Sequence, residues 1–188
     1  MIYDPILDTN GYIGYLPSDN SIYVAFRGSS SLNNWLTDFD ATLAPYTTYP
    51  QCNCQVHAGF YMAEQTALPQ VLQDVAALKT LHPTARVKTT GHSLGGALAS
   101  LTAMDLAKVY PDVQMYSYGS PRVGDPGFSA FAGTIMTDSW RVTHYKDCVP
   151  HVAEQALGYR HTCTEQYEDG FGNLKTCNNT CEDPTCAD

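Results

Sequence analysis

Residues 86–108 read RVKTTGHSLGGALASLTAMDLAK. The β-prone run Val87 to Thr90 leads in, and a run rich in Ala and Leu leads out. Between them stands Ser93, flanked by Gly91 and Gly95. A G-x-S-x-G segment at a strand-to-helix junction is the pattern of a sharp turn that lifts a serine hydroxyl off a sheet. Glycines suit it because side chains at their positions would crowd the turn. The motif alone is weak, since an ordinary strand-loop-helix connection satisfies it. Small residues strengthen it: Gly96, Ala97, Ala99 and Ser100 let the following helix press close to a sheet. Ser93 is therefore read as a nucleophile.

Working outward, Tyr12 to Leu16 and Ser21 to Arg27 are short β-prone runs joined by the turn cluster Pro17-Ser18-Asp19-Asn20, which predicts a hairpin. Ser31 to Phe39 places Leu32, Trp35, Leu36 and Phe39 at helical spacing, one apolar stripe opposite a polar face. The bland reading is a helix packed on its own core; the functional one is a lid over a pocket. Val56 to Phe60 precedes a helical pattern from about Tyr61 to Leu81, with Leu68, Val71, Leu72, Val75, Leu78 and Leu81 as its core face and Pro69 expected to kink or break it. Leu94 to Tyr110 is the next helix, closed by Pro111. Val113 to Tyr118 and Trp140 to Tyr145 read as strands, and Pro126 to Phe131 as a short helix. This alternation predicts an α/β fold: a mostly parallel central sheet with helices on both faces and an antiparallel N-terminal hairpin. No linker interrupts it, so residues 1–188 are expected to form one domain with a Cys-rich tail at about 163–188.

The chain has 188 residues and a formal net charge of −9, which disfavours nucleic acid as a partner and gives no support to docking on anionic lipid. No run is long and apolar enough for an integral membrane segment. Seven cysteines are many for a reducing compartment, and Cys163, Cys177, Cys181 and Cys186 crowd the C-terminus, as in a disulfide-stapled secreted protein. Their spacing fits no standard zinc pattern, so no metal site is expected. Glu182, Asp183 and Asp188 read as a solvated acidic segment rather than a calcium site. Asn178-Asn179-Thr180 is a glycosylation sequon, in keeping with secretion. An odd count leaves at least one thiol free or paired outside the chain. Cys52 and Cys54 stand too close for an unstrained mutual bridge. No signal peptide follows Met1, so a mature or trimmed form is expected.

A serine hydroxyl is a poor nucleophile at neutral pH and needs a base, with an acid to orient that base. In doubly wound sheets, ligands meet the carboxyl ends of the strands. Ser93 follows one such end, and Asp147, just beyond WRVTHY, follows another. Asp147 is therefore the candidate orienting acid. This chemistry needs no cofactor.

Five blocks, VAFRGSSSLNNW (24–35), VHAGF (56–60), TGHSLGGA (90–97), YGSPRVGD (118–125) and RVTHYKDCVPH (141–151), occur in order between about Gly11 and His161. On them the chain resembles the class 3 lipases, the fungal-lipase-like branch of the α/β-hydrolases. The resemblance implies Ser93 as nucleophile and Asp147 as triad acid. It implies an oxyanion hole from the main-chain N–H groups of Ser29 and Leu94, with the Ser29 hydroxyl assisting, and a lid at Ser31 to Asp38 with Trp35 near its tip. It further implies an ester or lipid substrate at an oil–water interface, triacylglycerol first, with feruloyl esters and phospholipids used by close relatives.

The resemblance departs at the base. His92, His57, His82 and His144 read as structural. In the family the base lies in an apolar, aromatic segment beyond the tail cysteines, and no such segment precedes Asp188. The chain is accordingly expected to be truncated at both ends relative to the family. Recruitment of His151 or His161 is the fallback. A catalytically dead lipid- or partner-binding domain is the rival from another class.

Overall fold

The computed structural model describes residues 1–4, 9–30, 37, 39–178 and 180–187. The lid residues Leu32, Trp35 and Leu36, together with Asn179 of the sequon and Asp188, lie outside the described residues.

Ten strands are described: β1 (Ile2–Asp4), β2 (Thr9–Leu16), β3 (Ser21–Phe26), β4 (Leu43–Pro45), β5 (Gln55–His57), β6 (Arg86–His92), β7 (Gln114–Tyr118), β8 (Ser139–His144), β9 (Glu165–Glu168) and β10 (Leu174–Thr176). Among them run the helices α1 (Ala58–Leu81), α2 (Leu94–Ala107) and α3 (Pro126–Ile135). Eight strands form one sheet in the order β1-β2-β3-β6-β7-β8-β9-β10. Pairing from β3 through β9 is parallel, and the outer strands at each edge pair antiparallel. This is the mostly parallel α/β sheet expected, with the N-terminal hairpin at one edge. The hairpin registers Leu16 opposite Ser21. Its turn is a 3₁₀ segment over Pro17–Asp19, after which Asn20 takes the left-handed conformation that an Asn tolerates.

Alternation along the strands sorts the two faces. Ile22, Val24, Phe26, Val87, Thr89 and Met115 share one face and are buried. All but Thr89 pack in a single cluster with Phe60, Ala63, Val71 and Val75 of α1, Leu98 and Leu101 of α2, and Phe128 of α3. Tyr12, Tyr23, Tyr116 and Trp140 stand on the other face and are only partly covered by the described residues. The described helices thus gather on the first face. Helix α2 is buried along almost its whole length, between the sheet and α1. That is why its residues are small or apolar on every side.

Several expectations are corrected in detail. Helix α1 begins at Ala58 rather than Tyr61, because the His57 ring nitrogen Nδ1 accepts the Phe60 N–H and caps it. The helix runs continuously through Pro69. Its inward face is led by Phe60, Ala63, Glu64 and Ala67, and Leu81 is exposed. Helix α3 starts at Pro126 as expected, capped by the Asp125 carboxylate that accepts the Phe128 N–H at 2.7 Å, but runs on to Ile135 rather than ending at Phe131. Cys52 and Cys54 are bonded to each other. Asn53 between them adopts a positive φ of 47°, which turns the chain enough for the sulfurs to meet. The tail is not merely stapled on by Cys163–Cys181 and Cys177–Cys186. It supplies β9 and β10, which extend the sheet beyond β8. Nor are Glu182 and Asp183 solvated: the Glu182 side chain is 9% exposed, Asp183 is buried, and donors from Asn178 and Thr185 hold the Asp183 carboxyl down at about 2. Cys148 is the unpaired thiol and is exposed.

Candidate active site

Ser93 sits at the junction of β6 and α2 with φ 56° and ψ −129°. A non-glycine residue in this region is strained, and such strain collects at functional sites. The turn is fixed on both sides. The Ser93 N–H donates to the Tyr118 carbonyl on β7 at 2.9 Å, and the Ser93 carbonyl accepts the Gly96 N–H at 2.9 Å. Close packing demands the glycine at 95: a Cβ there would collide with the Phe26 carbonyl and stand 2.8 Å from the Arg27 carbonyl oxygen. The elbow is thereby wedged against the end of β3. The Ser93 Oγ is buried and has no hydrogen-bond partner among the described residues.

The loop after β3 passes directly beside it. A Cβ built on Gly28 would lie 3.3 Å from the Ser93 Cβ and 2.9 Å from the His92 carbonyl oxygen. Ser29, the next residue, is half-buried. Leu94 is the first residue of α2, where N–H groups lack intrahelical acceptors and the helix end favours negative charge.

Asp147 lies three residues past the end of β8. Its Oδ1 accepts the Val149 N–H at 3.0 Å, and its own N–H donates to the His144 carbonyl at 2.9 Å. Its other oxygen rests over Gly119: a Cβ at that position, where φ is +52°, would stand 2.5 Å from Oδ2. His92 Nε2 lies 3.5 Å from the same point. Gly119 directly follows Tyr118, whose carbonyl anchors Ser93. The serine follows β6 and the carboxylate follows β8, with Gly119 at the end of β7 between them, so all three lie on one edge of the sheet.

The histidines are placed individually. The His161 ring is fully buried, with Nε2 2.8 Å from the Pro150 carbonyl oxygen. Burial, reinforced by Arg141 and Arg122, holds it well below the usual imidazole range. His151 is exposed at the end of a 3₁₀ turn. Neither hydrogen-bonds the Ser93 Oγ. His57 stacks on Phe60 at 3.8 Å and is pushed down to about 4 by burial. Phe39, the one described residue of the proposed lid stripe, packs against His57 and Phe60 and borders the core.

Sequence reasoning missed the group that carries the loop after Asp147. Arg122 is buried and donates from Nη1 to the carbonyls of Pro150 (3.2 Å) and His151 (3.3 Å). Its other side meets Glu182 of the tail at 2.7 Å. Glu182 also accepts the His161 N–H at 2.7 Å. The only sign in the sequence is an arginine inside the YGSPRVGD block.

The chain is similar to known proteins over nearly its whole length. Residues 23–156 match the model of the family "Lipase (class 3)". A lipase of Rhizopus niveus is 34% identical over 186 residues, covering 96% of this chain and 47% of its own length. Secreted mono- and diacylglycerol lipase 1 of Fusarium solani is 37% identical over 174 residues, covering 90% of this chain and 52% of its own. A solved structure titled "A serine protease triad forms the catalytic centre of a triacylglycerol lipase" superposes with a TM-score of 0.90 at 31% identity, covering 97% of this chain and 71% of that one. The chain thus spans about half the length of the curated relatives it matches. The chain belongs to the class 3 lipase family.

Proposed function

We propose that this chain carries the nucleophile, the orienting acid and the oxyanion donors of a serine carboxylic-ester hydrolase, with triacylglycerol as its first substrate class. The observation that carries the reading is the strained, buried Ser93 with an unpartnered Oγ at the start of α2, one strand from Gly119 and two from Asp147.

In this reading the Ser93 Oγ attacks the ester carbonyl carbon and its proton passes to an imidazole base. The oxyanion that forms rests on the N–H groups of Leu94 and Ser29, each worth about 3 kcal/mol in the transition state. Collapse breaks the bond to the leaving alcohol, which takes the proton from the imidazolium. Water then cleaves the acyl-enzyme by the same steps in reverse. Asp147 orients the base and balances its charge. The resemblance puts that base outside residues 1–188, with His151 and His161 as the candidates within them. Leu32, Trp35, Leu36 and Phe39 are the residues of the proposed lid.

Export from the cell is part of the proposal. It is supported by three disulfides and by a relative named as secreted.

The test is acyl-enzyme trapping with p-nitrophenyl butyrate, read as a burst of nitrophenol and an acyl adduct. With the segment that supplies the base present, wild type is expected to accumulate the adduct and Ser93→Ala to lose it. Equal adduct on both proteins would refute the assignment.

A further inference from the structure

The β9–β10 connection reads Asp169-Gly170-Phe171-Gly172-Asn173. It is a built turn. The Asp169 carboxylate accepts the Phe171 N–H at 2.9 Å, the Asn173 N–H at 3.2 Å and the Asn173 side-chain amide at 2.8 Å. The Asp169 N–H donates to the Asn173 carbonyl at 3.2 Å. Gly170 and Gly172 take φ values of +79° and +86°, which reverse the chain on either side of the phenylalanine. The result holds out an aromatic ring that touches almost nothing: Phe171 is 91% exposed, and Leu174 behind it is 69% exposed. Ordering a loop to display a phenylalanine to water has no benefit for the fold, since exposed apolar surface is unfavourable.

Its position gives the display a use. Strands β6, β7, β8 and β9 run parallel, so their carboxyl ends lie on one edge of the sheet. Ser93 follows β6, Asp147 follows β8, and the Phe171 turn follows β9. Three strand spacings of about 4.8 Å put the turn roughly 14 Å along that edge from Ser93. The turn is seated beside the acid loop: a Cβ on Gly170 would stand 2.9 Å from the Tyr145 ring, and the Tyr145 N–H donates to the Glu168 carbonyl at 2.7 Å. Tyr118, Tyr145 and Phe171, from successive strand ends, form a row of exposed aromatics along this edge, the first two 45% and 46% exposed.

The geometry points to the Phe171 turn as a lipid-surface anchor, a fixed hydrophobic finger that enters an uncharged or zwitterionic lipid–water interface. The inference rests on the ester-hydrolase reading for the nature of the surface. Net charge of −9 and the neighbouring Asp169 and Glu168 select against anionic lipid, so insertion of the ring supplies the attraction. Aromatic rings at such a boundary bury an apolar body and leave polar neighbours wet. Docking there turns the carboxyl edge, with Ser93 and Asp147, toward the lipid.

The test uses the full 188-residue chain and partitioning onto phosphatidylcholine vesicles and triolein droplets. Phe171→Ala should lower the partition coefficient on the order of tenfold, the loss expected for a phenyl group withdrawn from an apolar phase. Phe171→Trp should restore it. Leu81→Ala, at the opposite edge where the side chain is 71% exposed, should leave it unchanged. Wild type that does not partition, Phe171→Ala that partitions like wild type, or an equal loss in Leu81→Ala would each overturn the anchor. A water-soluble phosphonate reads Ser93 without any lipid surface. Normal labelling together with a failed partition test therefore removes the anchor and leaves the ester reading standing.

Discussion

Arg122 grips Glu182 through two hydrogen bonds, Nε to Oε1 at 3.0 Å and Nη2 to Oε2 at 2.7 Å. Sixty residues separate them, and the contact ties the disulfide-bonded tail to the loop that carries Asp147. The arginine is buried and the glutamate side chain is 9% exposed. Removing one partner leaves the other charge buried. Glu182→Ala should therefore destabilise the protein by roughly 3 kcal/mol, read by urea unfolding. Glu182→Gln, which keeps the acceptor oxygen, should cost less. A loss under about 0.5 kcal/mol for Glu182→Ala would place the pair in the class of solvent-screened surface contacts.

Glu64 provides a pH signature. It is fully buried in α1, and burial followed by the nearby Asp105 charge pushes its carboxyl up to about 8. The folded state then keeps a proton that the unfolded chain releases near the ordinary glutamate value. Stability from this group is highest at acidic pH and falls as pH rises from about 4.5 to about 8. His57 and His161, both held low by burial, act oppositely as pH drops below the histidine range. The difference between wild type and Glu64→Gln isolates the carboxyl: the variant should gain on wild type as pH rises from 5 to 8 in urea titrations. Parallel curves would show that Glu64 ionises normally.

Gly119 is in close contact with the Asp147 carboxylate. Ala at this position meets both the positive φ of +52° and the Asp147 Oδ2. Gly119→Ala should cost about 1–3 kcal/mol in backbone strain and slow phosphonate labelling by roughly tenfold or more through the displaced carboxylate. Full-speed labelling with only the stability loss would detach Asp147 from the chemistry.

The cysteine pattern predicts one reactive thiol. Native alkylation followed by peptide mapping should modify Cys148 and spare the six bonded cysteines. Modification at Cys52 or Cys54 in the native protein would contradict the bridge between them.

Much of this fold is legible in the sequence where local chemistry is strong. The hairpin around Pro17–Asn20 and the strand–elbow–helix at Arg86 to Lys108 stand where periodicity and turn residues put them. The rest depends on contacts distant in sequence. Strands β9 and β10 are four and three residues long, EQYE and LKT, with no apolar alternation to announce them; pairing with β8 and the disulfides hold them. The same cysteine density that marked the tail as stapled hid its part in the sheet. Glu182 read as a surface acid because its partner, Arg122, lies sixty residues upstream. At the site, Ser93 and Asp147 were legible as strand-end residues, whereas the role of Gly119 required the placement of Asp147 over it.

The central claim is that Ser93 is the group that attacks the ester. The most direct measurement is incubation of the protein, together with the segment that supplies the imidazole base, with an organophosphonate, followed by mapping of the modified peptide. A single adduct on Ser93, absent in Ser93→Ala and slowed in Asp147→Asn, is the predicted result. A folded wild-type protein that stays unmodified, or an adduct that persists in Ser93→Ala, would contradict it.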